Sequence, residues 1–215
     1  MYERHRAEGL SGWDSSEEDY NEFKTHINRI LNRGVAPSEG RVLELGCGAG
    51  NMTIWLARKG YEAYGVDIAP AGIAWARERA QEQDIQINFT VGNVLDLAGY
   101  SNAFFDFALD GHCLHCIIGT DRRQFFSSVR RVLKPKGYFL VHTMCSPVDG
   151  KKTRGFDPES MCTIIDGIAT RYFGPADSIL EEIRQAGFEV VHWEIERGDT
   201  NDTLTVEAIN PEPRK

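Results

Sequence analysis

Three glycines alternate at positions 46, 48 and 50 within RVLELGCGAGNM, residues 41–52. They follow an apolar run, Val42 to Leu45, that reads as a short strand. A helix-like segment over 52–59 comes next, closed by Gly60 where a helix C-cap belongs. A strand that ends in alternating glycines before a helix brings bare backbone close to a ligand, and the helix N-terminus adds unpaired N–H groups. Asp67 ends a second apolar segment, YEAYGVDI. An acid there can accept both hydroxyls of a ribose. The spacing serves a nucleotide-like ligand.

A second constellation is HCLHC, residues 112–116, after a fourth strand-like segment, 104–110. His112 and His115 have ordinary pKa values of about 6.5, suited to removing a proton near neutral pH. Asp110, just upstream, can orient an imidazole or hold an amino group. Cys113 and Cys116 stand at C-x-x-C spacing, a pattern for zinc, a thiophilic metalloid or a redox pair. A structural zinc site takes four ligands from two separated pairs. The remaining cysteines, 47, 145 and 162, supply no second C-x-x-C, so no metal is assigned. The simplest reading of these cysteines is as small buried hydrophobes.

The glycine pattern, with Glu44 inside the strand, is E-x-G-x-G-x-G. A dinucleotide fingerprint requires G-x-G-x-x-G, and Asn51 occupies its third glycine position. The pattern resembles motif I of the class I S-adenosylmethionine-dependent methyltransferases. The resemblance runs from about residue 40 to 143 and extends loosely to 209. It implies that Glu44, Gly46, Cys47, Gly48 and Gly50 pass beside the amino-acid tail and sugar of S-adenosylmethionine. It implies that Asp67, with Ile68, holds the ribose, and that Asn93, with Val94, meets the adenine amino group. The family usually carries an acid at the Asn93 position; an amide oxygen can still accept. Asp110 is a further cofactor contact. The implied activity is methyl transfer; the resemblance is silent on the substrate, and a small molecule accepting on oxygen, nitrogen or sulfur is expected, with His112 or His115 the candidate base and Trp13, Arg171 and Tyr172 candidates for the acceptor pocket. Rival readings are an NAD-dependent oxidoreductase, a cofactor-binding protein without turnover, and a metal or thiol-redox module.

Other elements must hold these residues. Strand and helix patterns alternate through residue 143, and two final strands, 188–196 and 202–209, form a hairpin. This predicts an α/β Rossmann-like fold: a mostly parallel seven-stranded sheet with helices on both faces and a C-terminal antiparallel hairpin. The chain divides into an N-terminal lid and helix (1–36), a cofactor half (40–143), an irregular substrate loop (144–176), and a helix with the hairpin (177–209). Asp177 is expected to cap that helix, and Ser15 with Glu18 to cap one near residue 18. The 215 residues suit a single domain. A net charge of −8 argues against nucleic acid. No apolar run approaches the ~18 residues of a membrane helix. A cytoplasmic protein is expected, with room for a homodimer.

Overall fold

The computed structural model describes residues 2–10 and 17–212. Its main sheet holds seven strands, in the order β3-β2-β1-β4-β5-β10-β9. These are β1 (Arg41–Leu45), β2 (Glu62–Asp67), β3 (Asn88–Val91), β4 (Phe105–Gly111), β5 (Leu133–Val148), β9 (Glu189–Glu196) and β10 (Asn201–Ile209). The first five pair in parallel, and β10 runs antiparallel to both β5 and β9. The predicted fold is therefore the one formed.

Residues Val42 to Leu45 are all buried, as expected of a central parallel strand covered on both faces. Side chains alternate between two cores. Leu43 and Leu45 join Phe125, Val129, Ile179 and Ile183 on one face. Val42 joins Ile27, Ile30 and Leu56 on the other. The helices on these faces are α2 (Glu17–Leu31), α3 (Asn51–Arg58), α4 (Pro70–Glu82), α5 (Asp121–Val132) and α6 (Ala176–Gln185). The chain travels outward from β1 through β2 to β3, then returns to place β4 on the other side of β1. That reversal opens a crevice at the strands' carboxyl ends, where open sheets of this kind bind ligands.

Three expectations are corrected. Residues 144–176 are not irregular: β5 continues to Val148, and β6 (Phe156–Asp157), β7 (Cys162–Ile165) and β8 (Ile168–Tyr172) form a separate antiparallel sheet. The β7–β8 turn is Asp166-Gly167, with φ of 51° and 78°. Positive φ at both central residues is the hairpin geometry that Asp-Gly favours. Residues 1–14 carry no helical periodicity in the sequence, yet Tyr2–Ala7 form a short helix, α1. Pro175, rather than Asp177, takes the cap position of α6 and leaves Asp177 in the first turn. Trp13 and Ser15 lie outside the described residues. Among the described residues no helix is long and apolar enough to cross a membrane.

Candidate active site

The crevice holds a cavity of about 560 Å³, within the ordinary range for small-molecule sites. Its floor is the glycine loop. Gly46, Gly48 and Gly50 have φ of 69°, 52° and 77°, the left-handed region that side chains other than glycine rarely adopt. Gly46, Cys47 and Gly48 line the cavity. Gly50 does not; it is the N-cap of α3, and a Cβ there would meet Phe89 at 2.7 Å.

Asp67 ends β2 and is 8% exposed. Its Oδ2 accepts the Gly48 N–H at 2.9 Å and its Oδ1 accepts the Ala69 N–H at 2.8 Å. Ile68, Asn93 and Val94 line the same side. The Asn93 side-chain oxygen accepts the Leu95 N–H at 2.9 Å, which makes a local turn. Glu44 is buried beneath the loop and accepts the Thr53 hydroxyl. Burial pushes its carboxyl up to about 8, so it is largely protonated at neutral pH.

The opposite wall is built by the segment after β4. Asp110 does not reach the cavity surface. It is fully buried, and its Oδ1 accepts the N–H groups of Cys113 and Leu114 at 3.0 and 2.8 Å. These bonds fold residues 114–116 into a 3₁₀ turn. Desolvation raises the Asp110 carboxyl to about 7. His112 sits at φ 70°, a left-handed value for a side-chain-bearing residue. Residues held in sparsely populated backbone regions cluster at active sites and ligand clamps. Its ring meets Phe23 of α2, His115 and His142, with the His142 centroid 4.7 Å away. Burial, reinforced by His26, lowers the His112 pKa to about 4, and burial holds His115 and His142 well below 6.5. All three are neutral imidazoles at pH 7. Nδ1 of His112 and of His115 finds no partner among the described residues.

Of the expected acceptor residues, Arg171 lines the cavity. Tyr172 instead lies under the Arg122 guanidinium, 4.7 Å from ring centroid to cation. Sequence reasoning missed Tyr2, Tyr20, Phe23 and Met144, which also line the cavity, and His142 behind them. Tyr2 comes from α1: a Cβ on Gly48 would stand 2.6 Å from its hydroxyl, and one on Gly72 3.0 Å from its ring. No motif marks these residues; they arrive by tertiary packing.

A parallel sheet with this strand order, a glycine loop after β1 and an acid closing β2 defines a Rossmann-like protein built for a nucleotide-type cofactor. Residues 43–141 match the methyltransferase domain family. A ubiquinone biosynthesis O-methyltransferase of Xanthomonas oryzae is 31% identical over 104 residues, 48% of this chain and 43% of that protein. The chain spans about half the length of the curated relatives it matches. Among solved structures, the PH0226 protein of Pyrococcus horikoshii superposes with a TM-score of 0.75 at 24% identity, covering 97% of this chain and 99% of that one. The 1,6-didemethyltoxoflavin-N1-methyltransferase of Burkholderia thailandensis, solved with 1,6-didemethyltoxoflavin and S-adenosylhomocysteine, gives 0.67 at 23% identity over 86% and 76% of the two chains. The matched span, 99 of 215 residues, is similar to methyltransferase domains, and the methyl donor that this likeness implies is S-adenosylmethionine. The residues present fit that cofactor: a buried carboxylate with acceptor capacity to spare stands beside a glycine-rich loop, in a cavity of suitable size.

Proposed function

We propose that this protein binds S-adenosylmethionine in the β1–β4 crevice and transfers its methyl group to oxygen, nitrogen or sulfur of a small molecule. The observation that carries the reading is Asp67, fixed by two backbone N–H groups at the edge of the glycine loop, across the cavity from His112 and His115. S-adenosylmethionine, when bound, supplies an electrophilic methyl group on a sulfonium. Asp67 accepts the ribose hydroxyls, Gly46 to Gly48 leave room for the sugar and amino-acid tail, and Ile68, Asn93 and Val94 flank the base. Glu44, largely neutral, keeps a second negative charge away from Asp67.

The chain's own contribution to the chemistry is alignment and exclusion of water, which can supply ~7–11 kcal/mol when reacting groups are held in line. His112, neutral and unpartnered at Nδ1, accepts a hydrogen bond from an acceptor that carries a proton. Its lowered pKa makes it an orienting group and a weak base. His115 stands beside it, and Arg171 faces an anionic part of the acceptor. The acidic net charge, −8, supports a small molecule over nucleic acid. Five unpaired cysteines fit a reducing compartment such as the cytoplasm. A panel of candidate acceptors, scored by release of S-adenosylhomocysteine, tests the reading. Acceptor-dependent release supports it; cofactor binding with no release across hydroxyl, amine and thiol acceptors argues for a binding protein instead.

A further inference from the structure

Cys113 and Cys116 both line the cavity, and nothing in the reading above uses them. Cys113 is the N-cap of the 3₁₀ turn and Cys116 its last residue. The Cys116 N–H donates to the Cys113 carbonyl at 2.9 Å. A bond between residues three apart keeps their Cα atoms within ~7 Å, and two-sulfur bridges span about 4.4–6.8 Å. Residues three apart on a 3₁₀ turn are eclipsed, so the two side chains leave on the same side. The turn is held from both ends. Asp110 accepts the N–H groups of Cys113 and Leu114, and the Arg122 guanidinium donates to the carbonyls of Leu114 and Ile117 at 3.0 and 3.2 Å.

The surroundings are soft. His112, His115 and Met144 share the wall with the two sulfur atoms. Burial pushes both thiols above their ordinary range, Cys113 most strongly, so both are protonated at neutral pH. Cys113 is half-buried and Cys116 exposed, and protonated thiols are poor nucleophiles. A ligand must therefore take them by an exchange that consumes their protons. Among the described residues no three His, Cys, Asp or Glu side chains form a group able to hold a metal ion. The pair is a two-point site.

We propose that Cys113 and Cys116 form a dithiol site for a trivalent, thiophilic metalloid hydroxide. Each thiol gives its proton to one hydroxide of the metalloid. Two S–H and two metalloid–oxygen bonds break, two metalloid–sulfur bonds form, two waters leave, and no oxidation state changes. Soft sulfur selects a soft trivalent centre, and the third position of that centre stays open to the cavity. A role for this site in presenting an acceptor rests on the methyl-transfer reading; the dithiol chemistry does not.

The test is reduced protein treated with phenylarsine oxide in excess monothiol, followed by intact mass and peptide mapping. The expected result is one arsenical per chain, bridging the peptide that holds Cys113 and Cys116. It is lost completely in Cys113→Ser and in Cys116→Ser and retained in Cys162→Ser. Arsenite alone is expected to compete for the site. Mapping on the unmodified sequence decides the matter even where a variant folds poorly. Absence of an adduct, its survival in either variant, or its location on Cys47, Cys145 or Cys162 overturns the proposal. Calorimetry with S-adenosylhomocysteine on the same sample separates the two readings. Binding without an adduct sinks only the dithiol site, and an adduct without binding sinks only the methyltransferase reading.

Discussion

The Asp67 carboxylate and the Gly48 backbone are joined directly, Oδ2 accepting the Gly48 N–H at 2.9 Å. Its other oxygen accepts the Ala69 N–H. An ionised carboxylate offers about four acceptor positions, so about two remain for a ribose. One side chain thus shapes the loop and presents the ligand contact. Asp67→Ala should weaken S-adenosylhomocysteine by about 30- to 150-fold, the equivalent of ~2–3 kcal/mol for two charge-assisted bonds. Titration calorimetry measures it. An unchanged affinity would remove Asp67 from the cofactor site.

Gly48 faces two separate constraints, a left-handed backbone and the Tyr2 hydroxyl 2.6 Å from any added Cβ. Gly48→Val should lower the melting temperature and abolish cofactor binding. Gly48→Ala should do less harm, and adding Tyr2→Ala should relieve the steric part only. The backbone part, ~1–2 kcal/mol for a left-handed residue with a side chain, should persist in the double variant. Full rescue by Tyr2→Ala would show that the backbone argument is wrong.

Stability should peak near pH 6.5. Burial keeps His112 near 4 and His115 and His142 well below 6.5. The unfolded chain takes up protons on these rings below about 6.5, so the stability they contribute is lost as pH falls toward 4. Glu44 and Asp110 act in the opposite sense. Their folded values of about 8 and 7 lie above the unfolded ones, so their contribution is lost as pH rises through 7 to 8. Three imidazoles outweigh two carboxyls below 6.5, and only the carboxyls act above it. Urea midpoints from pH 5 to 9 test this, and Glu44→Gln should flatten the alkaline limb. A plateau from pH 6 to 9 would contradict it.

Arg122 ties the cavity wall to the rest of the fold. It is 4% exposed, pairs with Glu182 at 2.6 Å, donates to two carbonyls of the 3₁₀ segment and stacks on Tyr172. Arg122→Ala should cost ~3–5 kcal/mol, because it strands buried acceptors and a partly buried carboxylate. Chemical denaturation gives the number. A loss under ~1 kcal/mol would mean that water or neighbouring side chains replace it.

The sequence was most legible where backbone geometry depends on one residue type. Gly46, Gly48, Gly50 and Asp67 could be placed because positive φ and a strand-end acid have few substitutes. The sheet followed from apolar runs such as Val42 to Leu45. The β7–β8 hairpin was also written there, in Asp166-Gly167, but its flanking residues are short and half-polar and hid the strands. The histidine cluster was half legible. His112 and His115 share a motif, whereas His142 reaches them through β4–β5 pairing, where the His112 N–H donates to the His142 carbonyl at 3.0 Å. Tyr2 could not be anticipated, since α1 reaches the glycine loop through contacts that local patterning does not encode.

The most direct test of the account is titration calorimetry of the purified protein with S-adenosylhomocysteine and, in parallel, NAD. The account predicts saturable, one-to-one binding of S-adenosylhomocysteine and none of NAD, with a melting temperature that rises with S-adenosylhomocysteine concentration as mass action requires. Binding of NAD in preference to S-adenosylhomocysteine, or of neither ligand by folded protein, would contradict it.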